Sequence, residues 1–223
     1  MRKILLGALL VANVSIVSAG IILTAEAPGA TTTTVANTTT LDFNSLSLGA
    51  FSGATAIGTF SAGGTIVAPD HYSGDATKYI SVGAQSNTTS YTLTFNSAQT
   101  FFGLLWNAGD AQNVLTFFNG ATQVGSFNVA TFSGSLGAGY YGNPSATFKG
   151  QDGSEPFVYL DFTSNASATN FTSVVFSNNN KSTGFETDNY AILAPTGVPE
   201  PSTYGMLLTG LTALGLLARR RSV

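Results

Sequence analysis

Ser90-Tyr91-Thr92-Leu93-Thr94-Phe95, then five small or polar residues, then Phe101-Phe102-Gly103-Leu104-Leu105-Trp106: this stretch decides the fold. In the first run the bulky apolar side chains fall on Tyr91, Leu93 and Phe95, with threonine between them. In the second, Phe102, Leu104 and Trp106 keep step. A period of two places one set of side chains on one face of a β-strand. A slip of one residue would turn every ring outward, so the alternation also fixes strand register.

The pattern repeats outward from there. Val158/Leu160/Phe162 and Thr172/Val174/Phe176 alternate in the same way. Short β-branched and aromatic segments are spaced by Gly, Asn and Ser clusters, the rhythm of a sandwich or barrel. Strands are expected at Thr39–Asn44, Gly64–Ala68, Tyr79–Val82, Ser90–Phe95, Thr100–Trp106, Asn113–Phe118, Thr122–Val129, Ala146–Lys149, Phe157–Phe162, Phe171–Ser177 and Gly184–Leu193. Asn119-Gly120 supplies a hairpin turn. The body shows no sustained helical period, and sixteen Phe with eight Tyr give bulk enough for one core. The expected fold is all-β: an antiparallel β-sandwich, jelly-roll-like, over residues 41–194. A Thr-rich flexible lead-in, 28–40, precedes it, because Thr31 to Thr40 offers no apolar face to bury.

Composition narrows the chemistry. Of 223 residues only 9% are charged, and eight Lys and Arg cannot build a basic surface, which excludes nucleic acid as a partner. Between Pro28 and Val198 three lysines face nine carboxylates, a net of −6. Cys is absent and His occurs once, which removes thiol nucleophiles, disulfides and the common zinc sites.

The two ends carry membrane-handling signals. Arg2 and Lys3 open an apolar run, Ile4 to Val17, and residues 1–27 read as a signal peptide, with its helix, for the secretion machinery and signal peptidase. Small residues offer cleavage after Ala19, with an acceptable pair in Val17 and Ala19, or after Ala27, with a better pair in Ala25 and Ala27 but Pro28 left first, a poor start. A retained N-terminal anchor is the alternative, since Ile21 to Leu23 prolongs the apolar run. At the other end, residues 195–223 hold Val198-Pro199-Glu200-Pro201-Ser202, a charge-free stretch over 203–218, and Arg219-Arg220-Arg221. Fifteen residues from Tyr204 to Ala218 make roughly 22 Å of helix, and arginine stems lengthen its reach as a single transmembrane helix. The basic cluster favours the cytoplasmic side. The body then lies outside.

That C-terminal order of motif, apolar span and arginine cluster resembles the PEP-CTERM sorting signal of bacterial exosortase substrates. The resemblance implies that Val198, Pro199, Glu200, Pro201 and Ser202 are read by an exosortase-type membrane enzyme, with Arg219, Arg220 and Arg221 as the membrane stop. Two prolines hold Glu200 in an extended segment that a protease cleft can admit. The implied course is export, anchorage by the C-terminal helix, processing, and residence at the cell surface or outside the cell.

Within the body the candidates are few. Trp106-Asn107-Ala108-Gly109-Asp110 resembles the Trp-Gly-Ser-x-Asp turn of a family of exosortase-dependent surface proteins, with Asn107 and Ala108 in place of Gly and Ser. Asp110 and Asn113 have the chemistry to pin that turn through backbone amides. Trp106 is a candidate sugar platform, although its phase with Phe102 and Leu104 favours the core. His71 and Tyr72 mark a second candidate glycan contact. Phe185-Glu186-Thr187-Asp188-Asn189 resembles the last strand of jelly-roll carbohydrate-binding modules that hold a structural calcium beside their first strand, which makes Asp42 and Asp188 candidate ligands. The competing reading is that Asp188 and Asn189 satisfy buried backbone groups. No other cofactor is expected. His71 lacks the nucleophile and oxyanion site of a hydrolase, and no feature selects a glycosidase carboxylate pair. The sequence therefore predicts a non-enzymatic surface or matrix protein associated with exopolysaccharide. A carbohydrate-binding module with a defined sugar site is the alternative, and a secreted hydrolase the weakest reading.

Overall fold

The computed structural model describes residues 15–18 and 20–193; the chain divides into two units after Leu193, and every described residue lies in the first. Thirteen strands make this unit: β1 (Ser15–Ser18), β2 (Ile21–Ala25), β3 (Thr38–Leu41), β4 (Gly49–Ala54), β5 (Gly58–Val67), β6 (Tyr79–Gly83), β7 (Ser90–Gln99), β8 (Phe101–Asn107), β9 (Asn113–Asn119), β10 (Thr122–Asn128), β11 (Val158–Ser164), β12 (Phe171–Asn178) and β13 (Gly184–Leu193). All strand pairings are antiparallel, as the alternation predicts. Among the described residues the only α-helix is the single turn α1 (Val129–Phe132), whose first amides are capped by Asn128.

The strands do not form two separate sheets. They join in one, in the order β1-β2-β11-β8-β13-β6-β5-β7-β12-β9-β10, with β3 on β13 and β4 on β5. Two bent strands account for the continuity. The start of β5, Gly58 to Phe60, pairs with β7, while its end, Thr65 to Val67, pairs with β6. Gly63 lies between at φ +125°, where a Cβ would run into the Ser90 carbonyl, so only glycine makes this corner. In β13, Gly184–Thr187 pairs with β6 and Tyr190–Leu193 with β3, and the register against β8 shifts between Asp188 and Ala191. Asn189 takes up that shift at φ +50°.

Curling brings the halves of the sheet face to face across an aromatic core. Phe102 of β8 meets Phe117 of β9 at 6.2 Å, Phe117 meets Phe162 of β11 at 4.9 Å, and Phe176 of β12 stacks on Tyr190 of β13 at 5.2 Å. Each such pair contributes about 0.5–1.5 kcal/mol beyond the area it buries. The sheet's two ends also approach each other. Phe127 of β10 packs on Phe162 at 5.1 Å, and the Ile21 side chain of β2 covers Gly125 of β10 so closely that a Cβ there would meet it at 2.8 Å.

Several expectations are corrected. The N-terminal signal helix is not seen: residues 15–18 and 21–25 are strands, because Ile21, Leu23 and Ala25 alternate inward and are buried. Residues 1–14 lie outside the described residues. At the end of the Thr-rich stretch Thr38–Leu41 forms β3, in line with the strand expected from Thr39, and earlier in it Thr33 and Thr34 donate to Glu26. Ala146–Lys149 is no strand; it lies in a loop closed by Asn143 N–H to the Gln151 carbonyl at 2.7 Å and Gly150 N–H to the Asn143 carbonyl at 2.9 Å. The helix expected over 203–218 also lies outside the described residues. Among the described residues no helix is long and apolar enough to cross a membrane.

Candidate functional site

Where β6, β8 and β13 run side by side, the loops beyond them enclose a polar cavity of about 150 Å³. Tyr72, Gln85, Asp110, Glu155 and Glu186 supply its functional groups, and no Lys, Arg or His lines it.

Glu186 forms its buried edge. Its position on β13 opposite Ser81 of β6 is set by strand register, and Oε1 accepts from Gln85 Nε2 at 2.8 Å and from Ser81 Oγ at 3.4 Å. A Cβ at Gly184, two residues earlier on the same face, would collide with the Glu186 carboxyl and force that side chain to shift. Burial pushes Glu186 up to about 8, so at neutral pH the carboxyl keeps its proton and can donate it to a hydrogen bond. Glu155 is also raised, first by burial and then by Asp152 and Asp110. Burial and the Asp152 charge raise the Tyr72 phenol, so it too remains a donor. Asp110 comes from the turn after β8. Its Oδ1 accepts from the Gln112 amide at 2.9 Å, and its own amide donates to Asn113 Oδ1 at 3.0 Å, the side-chain pinning the sequence predicts.

The cavity therefore mixes neutral donors with carboxylate acceptors.

Of the candidates read from the sequence, Tyr72 lines this cavity and His71 is next to it. The His71 ring packs on Tyr72 at 3.9 Å, and its Nδ1 lies 2.9 Å from Asp152 Oδ2. Asn143 braces the loop by donating to the His71 carbonyl at 2.7 Å and the Ser73 carbonyl at 2.9 Å. Trp106 is wholly buried, against Phe132 at 5.2 Å and Phe185 at 4.5 Å, and offers no face to a sugar. Asp42 and Asp188 do not converge on an open oxygen shell. Asp42 accepts from the Asn44 amide in an exposed turn, whereas buried Asp188 is satisfied by the Asn189 amide at 2.7 Å and Thr77 Oγ1 at 3.1 Å. Asn189 Nδ2 in turn donates to Asp75 Oδ2 at 2.8 Å, so neutral groups bridge the two carboxylates. Burial, then the neighbouring Asp75 charge, raises Asp188 well above the usual carboxylate range. Among the described residues no three His, Cys, Asp or Glu are grouped to hold a metal.

Sequence reasoning missed Gln85 and Glu155 as cavity residues. They fall in loops with no motif, and only the fold brings them to Glu186.

The family model for the PEP-CTERM protein-sorting motif matches residues 197–221. The chain carries a PEP-CTERM sorting signal. Val198–Ser202 and Arg219–Arg221 fall inside the matched span, and all lie outside the described residues. Searches of curated proteins and of solved structures found no match to the chain. The PEP-CTERM signal marks an exported protein processed at the membrane by an exosortase.

Proposed function

We propose that this PEP-CTERM protein is exported, held by a helix over 203–218 with Arg219–Arg221 on the cytoplasmic side, and cut at its Pro-Glu-Pro motif. The β-rich body then serves at the cell surface or in the extracellular matrix, in contact with exopolysaccharide, and without catalysis. The observation that carries this reading is the sorting signal at 197–221. A body of net charge −6, covered by Ser, Thr and Asn, is compatible with packing among polysaccharide chains. Replacing Glu200 by Ala, or the three arginines by Gln, should leave the full-length chain in the membrane fraction. Normal processing of both variants would overturn the sorting role.

The cavity favours a second reading, in which the body is a carbohydrate-binding module for a single sugar residue at Tyr72, Gln85 and Glu186. Glycan-array binding of the exported protein tests it. Binding that Tyr72→Phe and Glu155→Gln both weaken supports the module, and no binding to any glycan favours the structural role.

A further inference from the structure

We infer that signal peptidase cuts this chain between Ala19 and Gly20, and that Ile21–Ala25 belongs to the mature fold. The inference rests on the proposed export but goes beyond it, since export alone does not choose between cleavage after Ala19 and after Ala27. The step is hydrolysis of the Ala19–Gly20 amide: water adds, leaving a carboxylate on Ala19 and an ammonium on Gly20.

Strand β2 is built into the body. It pairs with β11 at five positions, from Ile21 opposite Ser164 to Ala25 opposite Leu160. Ile21, Leu23 and Ala25 are 0%, 2% and 4% exposed. Ile21 reaches across to Gly125 of β10, so β2 closes the gap between the two ends of the curled sheet. Cleavage after Ala27 would remove this strand and open the core along β11.

The connections continue on both sides of the strand. Glu26 N–H donates to the Tyr159 carbonyl at 3.0 Å, and Tyr140 Oη donates to the Glu26 carbonyl at 2.7 Å. Glu26 Oε1 accepts from Thr34 N–H at 2.6 Å and from Thr34 Oγ1 at 2.7 Å, holding the Thr-rich segment. The Gly20 carbonyl accepts from Asn165 N–H at 3.0 Å and Thr169 Oγ1 at 3.1 Å. On the far side lies β1, which pairs with β2 alone at the margin of the sheet. Its Ile16 side chain packs against the core only in part. The leader can therefore depart with β1 and leave the body closed, which it cannot do with β2. Val17 and Ala19 are small residues at the positions that signal peptidase reads.

The test is the N-terminal sequence and intact mass of the exported protein, made from the full-length chain in an exporting host. A mature chain beginning at Gly20 is the expected result. Ala19→Glu should abolish that cut, and Ala27→Glu, at an exposed position, should leave it unchanged. A folded exported chain beginning at Pro28, a membrane-held chain with its leader intact, or blockage by Ala27→Glu alone would each overturn the inference. Soluble cytosolic protein still beginning at Met1 would instead refute export itself, and this inference with it.

Discussion

The hydroxyls of Tyr91 and Tyr190 lie 2.6 Å apart inside the core, on strands β7 and β13 that are not neighbours in the sheet. Thr187 Oγ1 completes a chain of three buried hydroxyls, each with a partner inside the protein. The link ties the two facing halves together by a directional bond amid rings that otherwise only pack. Tyr91→Phe should cost about 0.5–1.5 kcal/mol, because it removes a buried hydrogen bond while Tyr190 and Thr187 stay paired with each other. In urea the midpoint should fall with an unchanged slope. Tyr190→Phe should cost at least as much, since it removes the two shorter bonds and leaves only the 3.3 Å contact between Tyr91 and Thr187, and the two losses should not add.

Glu186 and Asp161 make stability depend on pH. Burial raises Glu186 from 4.5 to about 8 and Asp161 from 3.8 to about 7. Below about pH 4 both folded and unfolded chains hold these protons. Above it the unfolded chain loses them first, so stability falls as pH rises toward about 8 and then levels off. Glu186→Gln, a neutral mimic of the protonated carboxyl, should leave the melting temperature near pH 4 unchanged and raise it at pH 8.5. An identical pH slope in variant and parent would contradict the assignment.

Gly63→Ala should be among the most damaging single-methyl changes in the protein. It combines φ +125° with a collision at the Ser90 carbonyl in the corner of β5. By contrast, Gly120 sits at φ +57° with open space around its Cβ position, and Gly120→Asn should be tolerated. Thermal melts of the two variants compare them directly.

Leu23→Ala should destabilise the protein by about 2–5 kcal/mol, the cost of emptying a filled core position. A change within about 0.5 kcal/mol, the range of an exposed site, would mean that β2 does not pack as described.

Much of the sheet was readable from residues alone. Tyr91/Leu93/Phe95, Val158/Leu160/Phe162 and Val174/Phe176 all point inward as the period-two pattern requires. β4 escaped because Gly49–Ala54 is Gly-, Ala- and Ser-rich and mostly exposed, leaving no apolar alternation to see. β2 was hidden for the opposite reason: its apolar residues continue a leader's hydrophobic run, and only its pairing with β11 separates the two. The cavity was the least legible part. Gln85, Asp110, Glu155 and Glu186 come from four separate parts of the chain, and the turns that gather them follow no spacing rule. The joining of all strands into one sheet depends on where β5 and β13 bend. A glycine or an asparagine in a strand announces that a bend is permitted, without saying which neighbours it will connect.

Strand β13 has one further consequence. It runs between β8 on one side and β6 and β3 on the other, and it is the last strand before the sorting signal that begins at residue 197. Tension applied through the C-terminus therefore enters at an interior strand, flanked along its length, and not at a loose margin. Directed along the strand, such a pull would load the hydrogen bonds to both flanks together, whereas a marginal strand has only one flank to resist it. A force directed along β13 would therefore be shared between its neighbours on both sides.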